Sequence, residues 1–199
     1  MPKLTMTEFL DVVSKTAGSK ATKVRQIKNK PEYHPSTDFY KPIREEIAAG
    51  HKRGGTKADL QGFVDSYPEK KKVGHFQAIV NGYVKWWGKK GVKWFAPPSS
   101  VYANGGFEIS VKPEIGLEVD GKRHLIKLYF KPDPLTKPRI ELAIQLMEST
   151  LRPKARPTDF MSIMDIRKSK LSISTGPSTL LEAVLSAEMK YIADLWPNL

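Results

Sequence analysis

The chain has 199 residues, and its 33 lysines and arginines outnumber 21 aspartates and glutamates, which gives a formal net charge of +12. This length is typical of one domain or of two small ones. Because the chain has no cysteine, its sequence excludes disulfides, cysteine-ligated zinc or iron–sulfur centres, and thiol catalysis. We find no signal-peptide pattern and no apolar window long enough to span a membrane, so we expect a soluble, cytoplasmic protein without a membrane partner.

The positive charge is concentrated in the N-terminal half of the chain. Residues 1–95 carry 19 basic and 9 acidic side chains, whereas residues 96–199 carry 14 and 12. Such an asymmetry is typical of a surface that meets an anion, and nucleic acid phosphate is the partner that we expect. The alternatives are a solvated basic face and a face that binds an acidic protein partner.

The predicted elements begin with a short helix. Thr5 and Glu8 form the pattern of a capping box ahead of an apolar stripe, and this helix is expected to end near Gly18. Residues 19–30 carry five basic side chains and no acid, which predicts a basic helix or a flexible arm. We therefore expect a basic, helical N-terminal extension over residues 1–35.

The remaining residues, 36–199, alternate between helical and extended patterns. Helices are predicted over residues 38–49 and 75–88, with a basic glycine-rich loop over residues 50–57 between them. The later elements are predicted as strands over residues 92–96, 107–111, 115–119 and 124–130, a helix over 138–150, strands over 160–167 and 171–174, and a final helix that Thr179 caps. This order predicts one layered α/β or α+β domain with a central mixed sheet flanked by helices.

Two of these strands form a predicted hairpin. The dipeptide Asp120-Gly121 is typical of a two-residue turn between antiparallel strands. Counting outwards from this turn places Glu118 opposite Arg123 and Glu114 opposite Lys127, and strand alternation puts all four on one face. We therefore expect a carboxylate and a lysine to meet across the two strands.

At these residues the chain resembles the PD-(D/E)XK superfamily of metal-dependent phosphodiesterases. In that superfamily a Pro–acid pair opens one strand and an acid-x-Lys motif lies on the next strand. Here Pro113-Glu114 is followed by Leu125-Ile126-Lys127. The predicted order of helix, three strands, helix and strand over about residues 38–167 is also similar to the superfamily's shared core.

The resemblance implies a nuclease that acts on DNA or RNA with Mg²⁺ or Mn²⁺ as cofactor. Glu114 and Glu118 would hold the metal, and a helix acid such as Glu45 or Glu46 would join them. The metal would activate a water molecule, and Lys127 would stabilise the developing negative charge on the phosphate.

One residue departs from the superfamily's pattern, because Leu125 stands in the place of the second acid. Glu118, or Glu141 on the next helix, could substitute for the missing ligand. The alternative is that Glu114 and Lys127 form an ordinary cross-strand ion pair. The protein would then be an inactive, nuclease-like module that binds nucleic acid, or a basic domain that binds a protein.

Basic and aromatic residues are interleaved over residues 85–95. Lysines there could neutralise phosphates while an exposed ring stacks on a base, and we expect Trp86 to be that ring and Trp87 to be buried. Residues 5–30 also admit a helix–turn–helix interpretation. The residues expected to bind nucleic acid are Lys85, Trp86, Lys89, Lys90, Lys93, Lys23, Arg25, Lys28, Lys52 and Arg53.

Two further expectations concern residues outside these sites. The four histidines show no metal-ligand spacing, and strand parity places His124 on the apolar face of its strand, where we expect a structural role. The three consecutive lysines at residues 70–72 are expected to form a solvated turn.

Overall fold

A computed structural model describes residues 2–32, 34 and 38–199. These residues form seven α-helices and two mixed β-sheets. The helices are α1 (Met6–Val13), α2 (Ala17–Lys28), α3 (Lys41–Lys52), α4 (Lys57–Asp65), α5 (Lys70–Trp87), α6 (Lys137–Leu151) and α7 (Thr179–Leu195). The strands are β1 (Lys3–Thr5), β2 (Val92–Phe95), β3 (Ser100–Asn104), β4 (Phe107–Val111), β5 (Ile115–Val119), β6 (Lys122–Tyr129), β7 (Phe160–Asp165) and β8 (Lys170–Ile173).

The larger sheet has the strand order β2-β5-β6-β7-β8. Neighbouring strands are antiparallel except β6 and β7, which are parallel and are joined through α6. The smaller sheet has the order β1-β4-β3, with β1 parallel to β4. The expected mixed α/β class is therefore confirmed, with two sheets instead of one.

Two apolar cores cover the two faces of the larger sheet. On one face, Ile115, Ile126 and Leu128 pack with side chains of α3, α4 and α5. On the other face, Leu125 and Ile163 pack in a core shared with α1, α2, α6, α7 and the smaller sheet. Successive side chains of a strand point to opposite faces of the sheet, so neighbouring residues of β6 and β7 belong to different cores.

Among the helices of the described residues, none has the length and the apolar composition that a membrane span requires.

The N-terminal segment contributes to the second core. Leu4 of β1 and Phe9 of α1 are fully buried there, and Val24 attaches α2 to the same cluster. The capping box of Thr5 and Glu8 forms as expected. The basic segment is a helix, although the predicted boundary between residues 35 and 36 lies outside the described residues.

The β5–β6 hairpin has the predicted register. Val119 pairs with Lys122, and Gly116 pairs with Leu125. Asp120 and Gly121 have φ values of 48° and 83°. Positive φ at both central residues is the conformation that a tight two-residue hairpin turn requires, which explains the choice of these residue types.

Several elements differ from the predictions. The loop expected over residues 50–57 covers fewer residues in the structure, because α3 extends to Lys52 and Thr56 caps α4. Helix α4 itself was not predicted, since its apolar pattern did not indicate a helix. The lysines at residues 70–72 form the first turn of α5 and not a solvated turn. The cap of α7 is Ser178, whose side chain accepts a hydrogen bond from the N–H of Leu181, and not Thr179. Strands β1 and β3 were also not predicted.

Candidate functional site

Glu114 and Lys127 meet across the hairpin as predicted. The N–H of Glu114 donates to the carbonyl of Ile126 at 3.1 Å, which continues the ladder beyond β5. The Nζ of Lys127 donates to Oε1 of Glu114, and the N–H of Leu128 donates to Oε2 at 2.7 Å. Both charged side chains are 12% exposed. Each oxygen of this carboxylate therefore already has a partner within the fold.

Leu125 occupies the position of the missing acid and belongs to the core. It lies on the same face of β6 as Lys127, is fully buried, and packs in the same apolar cluster as Met161 and Ile163 of the neighbouring strand. A hydrophobic side chain with this burial stabilises the fold, whereas an ionised carboxylate there would have to be desolvated.

The other acids that the resemblance requires lie far from Glu114. Glu118 is four residues further along β5, which corresponds to about 13 Å at the usual rise of a strand, and it faces Lys93 at 4.0 Å. Glu45 is exposed on α3, which packs on the opposite face of the sheet, and lies 3.7 Å from Lys41. The structure does not bring these three acids together.

The remaining candidate ligands are engaged elsewhere. Glu46 accepts from Arg53, and Glu141 of α6 lies 3.7 Å from Lys137. In the described ranges, no three histidine, aspartate or glutamate side chains are grouped so that they could hold a metal ion. The candidate acids among the described residues therefore do not form one group around a common position.

Glu118 lies opposite Arg123 in the register, as predicted, but the two side chains do not form an ion pair. The Nε of Arg123 instead donates to Oδ1 of Asp159 at 2.8 Å, and its guanidinium lies 3.6 Å from the centre of the Phe95 ring. Asp159 is only 3% exposed, so its carboxylate needs a charged partner more than the partly exposed Glu118 does.

A second cluster lies where α5 ends. We define the lysine–tryptophan surface as Lys52 of α3, Lys57 of α4, Lys89 and Lys90 after α5, and the rings of Trp87 and Trp94. The Nζ of Lys52 lies 5.8 Å from the centre of the Trp94 ring, and that of Lys57 lies 5.4 Å from the Trp87 ring. At these distances a cation is attracted to the face of an aromatic ring.

The expectation for the two neighbouring tryptophans is wrong. Trp86 is 6% exposed and packs in the core with Tyr83 and Ile79, whereas Trp87 is only partly buried. Position 86 lies one turn after Tyr83, so it continues the apolar stripe of α5. Trp87 lies at the edge of that stripe and provides the accessible ring.

The four lysines of the surface have no carboxylate partner among the described residues. Lys57 and Lys90 donate to the carbonyl oxygens of Gly88 and Trp86 at the C-terminal end of α5, where the helix dipole favours cations. Lys52 and Lys89 are exposed to solvent. The surface therefore keeps its positive charge uncompensated by acids.

His51 lies beneath this surface. Its Nε2 is 2.6 Å from the hydroxyl of Tyr83, and its ring centre is 4.5 Å from that of Trp87. Burial lowers the pKa of His51 to about 4, so the imidazole is neutral at pH 7. It supports the tryptophan ring without adding charge.

The predicted residues of α2 have other partners. Lys23 lies 3.6 Å from Asp11, and Lys28 donates to the carbonyl of Trp196. Lys20 of the same helix pairs with Glu188 at 2.8 Å. The helix is thereby attached to the rest of the fold through most of its lysines. Arg25 is exposed.

Three other predicted residues lie outside the lysine–tryptophan surface. Lys85 is exposed on α5. Lys93 is 84% exposed and lies near Glu118, on the face of β2 opposite to that of Trp94. Arg53 is paired with Glu46. Lys57 was not predicted, although the capping box that begins at Thr56 marks the helix that positions it.

A search of known protein families found no matching family model. A search of curated proteins found no significant match.

Proposed function

We propose that the protein binds nucleic acid and that the lysine–tryptophan surface contacts the sugar–phosphate backbone. The observation that carries this proposal is the grouping of four lysines at the ends of three helices, none of which has a carboxylate partner in the part of the chain that the structure describes. Ammonium groups in such a group neutralise phosphates and release the counterions condensed on the strand. The accessible edge of Trp87 offers a flat apolar contact to a base or a sugar.

The contrast with α2 strengthens this proposal. Both regions are basic in sequence, but Lys20 of α2 and Lys30, which follows that helix, are matched by Glu188 and Glu8. Lysines that a fold uses for its own ion pairs have less charge to offer a ligand. The uncompensated lysines at the end of α5 are therefore better placed to attract a polyanion.

The element order supports a nuclease-like core for this binding protein. Helices α3, α4 and α5 are followed by three strands of the larger sheet (β2, β5 and β6), then by α6 and β7, with β3 and β4 of the smaller sheet inserted between β2 and β5. This order is similar to the one that the resemblance to the PD-(D/E)XK superfamily implies, with α3 in the place of the first core helix. The buried Leu125 and the fully engaged carboxylate of Glu114 favour a binding module over a nuclease. Metal-dependent cleavage with Mg²⁺ or Mn²⁺ stays a prediction.

The proposal is tested by the affinity for a fluorescent oligonucleotide, single-stranded and duplex, at about 0.1 M salt. The double variant Lys52→Gln/Lys89→Gln is expected to bind roughly tenfold or more weakly, because two phosphate contacts are lost. The control is Lys70→Gln/Lys71→Gln, which removes the same charge at the exposed opposite end of α5. Equal weakening in both variants would contradict a localised binding surface.

A second assay separates binding from cleavage. Supercoiled plasmid is incubated with the protein in Mg²⁺ or Mn²⁺, with EDTA and Lys127→Ala as controls, and the same mixtures are run on a native gel. A shift without nicking is the expected result for a binding module. Metal-dependent nicking that is lost in Lys127→Ala, while this variant keeps the gel shift of a folded protein, would establish the nuclease and assign its site to Glu114 and Lys127.

A further inference from the structure

Four charged side chains from different parts of the chain converge beside β6. Asp11 of α1 accepts a hydrogen bond from Lys131, which follows β6. The Nζ of Lys23 in α2 lies 3.6 Å from the same carboxylate oxygen, and Nη2 of Arg139 in α6 lies 3.6 Å from the other. Three cations thus contact one carboxylate, so this group of four side chains carries two more positive than negative charges.

The carboxylate and one of its three cations are located in a poorly hydrated part of the fold. Asp11 is 8% exposed and Arg139 is 5% exposed. Glu114, on the same face of β6, already pairs with Lys127, and Asp133, the other acid whose charge acts on Tyr129, is exposed to solvent. Unmatched charge in such a place is costly, and a bound counter-charge removes that cost.

Arg139 also has unused hydrogen-bond donors. Its Nη1 donates to the carbonyl of Pro134 at 2.8 Å, and its guanidinium lies 5.3 Å from the ring of Tyr129. The 3.6 Å between Nη2 and Asp11 is longer than a hydrogen bond. Nε is buried without any partner among the described residues. Buried donors of this kind are normally satisfied, so Nε of this guanidinium lacks the acceptor that a buried donor normally has.

We infer that Lys23, Lys131 and Arg139 form a binding site for a phosphate group. Lys23 and Lys131, whose side chains are 28% and 32% exposed, give an anion access from solvent, and the buried Arg139 lies behind them. A guanidinium with two ammonium groups matches the charge and the acceptor oxygens of a tetrahedral phosphate. The site uses no residue of the lysine–tryptophan surface, so it does not depend on the proposed function.

Thermal unfolding in phosphate and in chloride at equal ionic strength tests this site. The inorganic phosphate ion is the probe, and about 10 mM to 50 mM is expected to raise the Tm of the wild type by about 3 °C over chloride. Lys23→Gln is expected to remove more than half of this shift. The inference is overturned if phosphate and chloride stabilise the wild type equally, or if Lys23→Gln keeps the full shift.

The behaviour in chloride alone distinguishes a ligand-binding lysine from a structural one. Lys23→Gln relieves the surplus charge, so its Tm in chloride is expected to equal or exceed that of the wild type. Lys20→Gln, three residues earlier on α2, breaks the pair with Glu188 and is expected to lower the Tm while the phosphate shift persists. A large loss of Tm in Lys23→Gln, with the phosphate shift intact, would assign Lys23 to structure and overturn the inference.

The source of the phosphate group is separated by competition. Oligonucleotides with a 5′-phosphate or a 5′-hydroxyl compete for the labelled probe in the wild type, in Lys23→Gln and in Lys52→Gln/Lys89→Gln. If the protein prefers the 5′-phosphate oligonucleotide and only Lys23→Gln abolishes this preference, the site exists and its ligand is the phosphate at the end of a strand. A phosphate-dependent Tm shift without this preference supports the site with free phosphate as its ligand.

Discussion

The pair of Glu114 and Lys127 illustrates how much one ion pair matters when both partners are largely buried. Glu114→Ala would leave the ammonium of Lys127 without its carboxylate in a place that is 12% exposed. We expect a loss of about 3 kcal/mol in the free energy of unfolding, measured by urea denaturation. The double variant Glu114→Ala/Lys127→Met should recover part of this loss, because no unpaired charge remains.

Lys93→Ala is the control for that measurement. Lys93 is 84% exposed and 4.0 Å from Glu118, so its removal is expected to change stability by less than about 0.5 kcal/mol. A Glu114→Ala variant as stable as Lys93→Ala would show that the buried pair contributes little.

His51 gives the stability of the fold a pH dependence. Burial lowers the pKa of His51 to about 4 in the folded state, from about 6.5 in the unfolded chain. The unfolded state therefore binds the proton first, and the contribution is fully present above about pH 6.5 and is lost as the pH falls towards 4. We expect a loss of about 2 kcal/mol between pH 7 and pH 5 from this residue.

The measurement is the difference in unfolding free energy between wild type and His51→Gln across that pH range. Glutamine can keep a hydrogen bond to the hydroxyl of Tyr83 but does not titrate. His124, whose pKa burial also lowers, is present in both proteins and cancels. Parallel stability curves for the two proteins would show that His51 is not the group responsible.

At the scale of elements, α5 lies very close to the end of β7. Gly82 faces the carbonyl of Ile166, and a Cβ at this position would overlap that oxygen. Gly82→Ala is therefore expected to displace the helix and to cost about 2 kcal/mol or more in unfolding free energy.

Gly74 of the same helix provides the matched substitution. A Cβ at Gly74 would meet no atom within 4 Å, so Gly74→Ala is expected to stabilise the protein by up to about 1 kcal/mol through helix propensity. Both variants are compared by thermal and urea unfolding. The close approach of α5 would be refuted if Gly82→Ala were as stable as Gly74→Ala.

The elements also show what the sequence can and cannot predict. The turn at Asp120-Gly121 and the alternation of β5 and β6 were sufficient to predict the register and the meeting of Glu114 with Lys127, because both are local properties. His124 is buried as strand parity predicted, and it hydrogen-bonds Ser162. Strand β3 was missed because its exposed positions alternate with only partly buried ones.

Properties that depend on distant partners were not predictable from sequence. Nothing in the pattern of α2 shows that Glu188 lies beside Lys20, some 168 positions further along the chain. Nor does the sequence pattern show that Arg123 forms its ion pair with Asp159 and not with Glu118. The burial of Trp86 was predictable in principle from its spacing to Tyr83. However, Trp87 also lies at helical spacing from the apolar residues of α5, so the pattern alone does not distinguish the two rings.

At the scale of the whole molecule, the basic side chains of the N-terminal half are of two kinds. Some form ion pairs with acids and attach α2 to the fold. Others, at the end of α5, have no carboxylate partner among the described residues and lie over tryptophan rings or in solvent. The cluster around Asp11 lies between these extremes, with more cations than its carboxylate can balance. Net charge alone cannot distinguish these cases, because only tertiary contacts show which charges are available to a ligand.

The most direct test of nucleic acid binding by the lysine–tryptophan surface is the salt dependence of oligonucleotide affinity, measured by fluorescence anisotropy. For a duplex, the slope of log K against log salt concentration is expected to decrease in magnitude by about 2 in Lys52→Gln/Lys89→Gln, since two phosphate contacts are removed. The slope for Lys70→Gln/Lys71→Gln is expected to equal that of the wild type. Equal slopes for all three proteins would contradict binding through this surface.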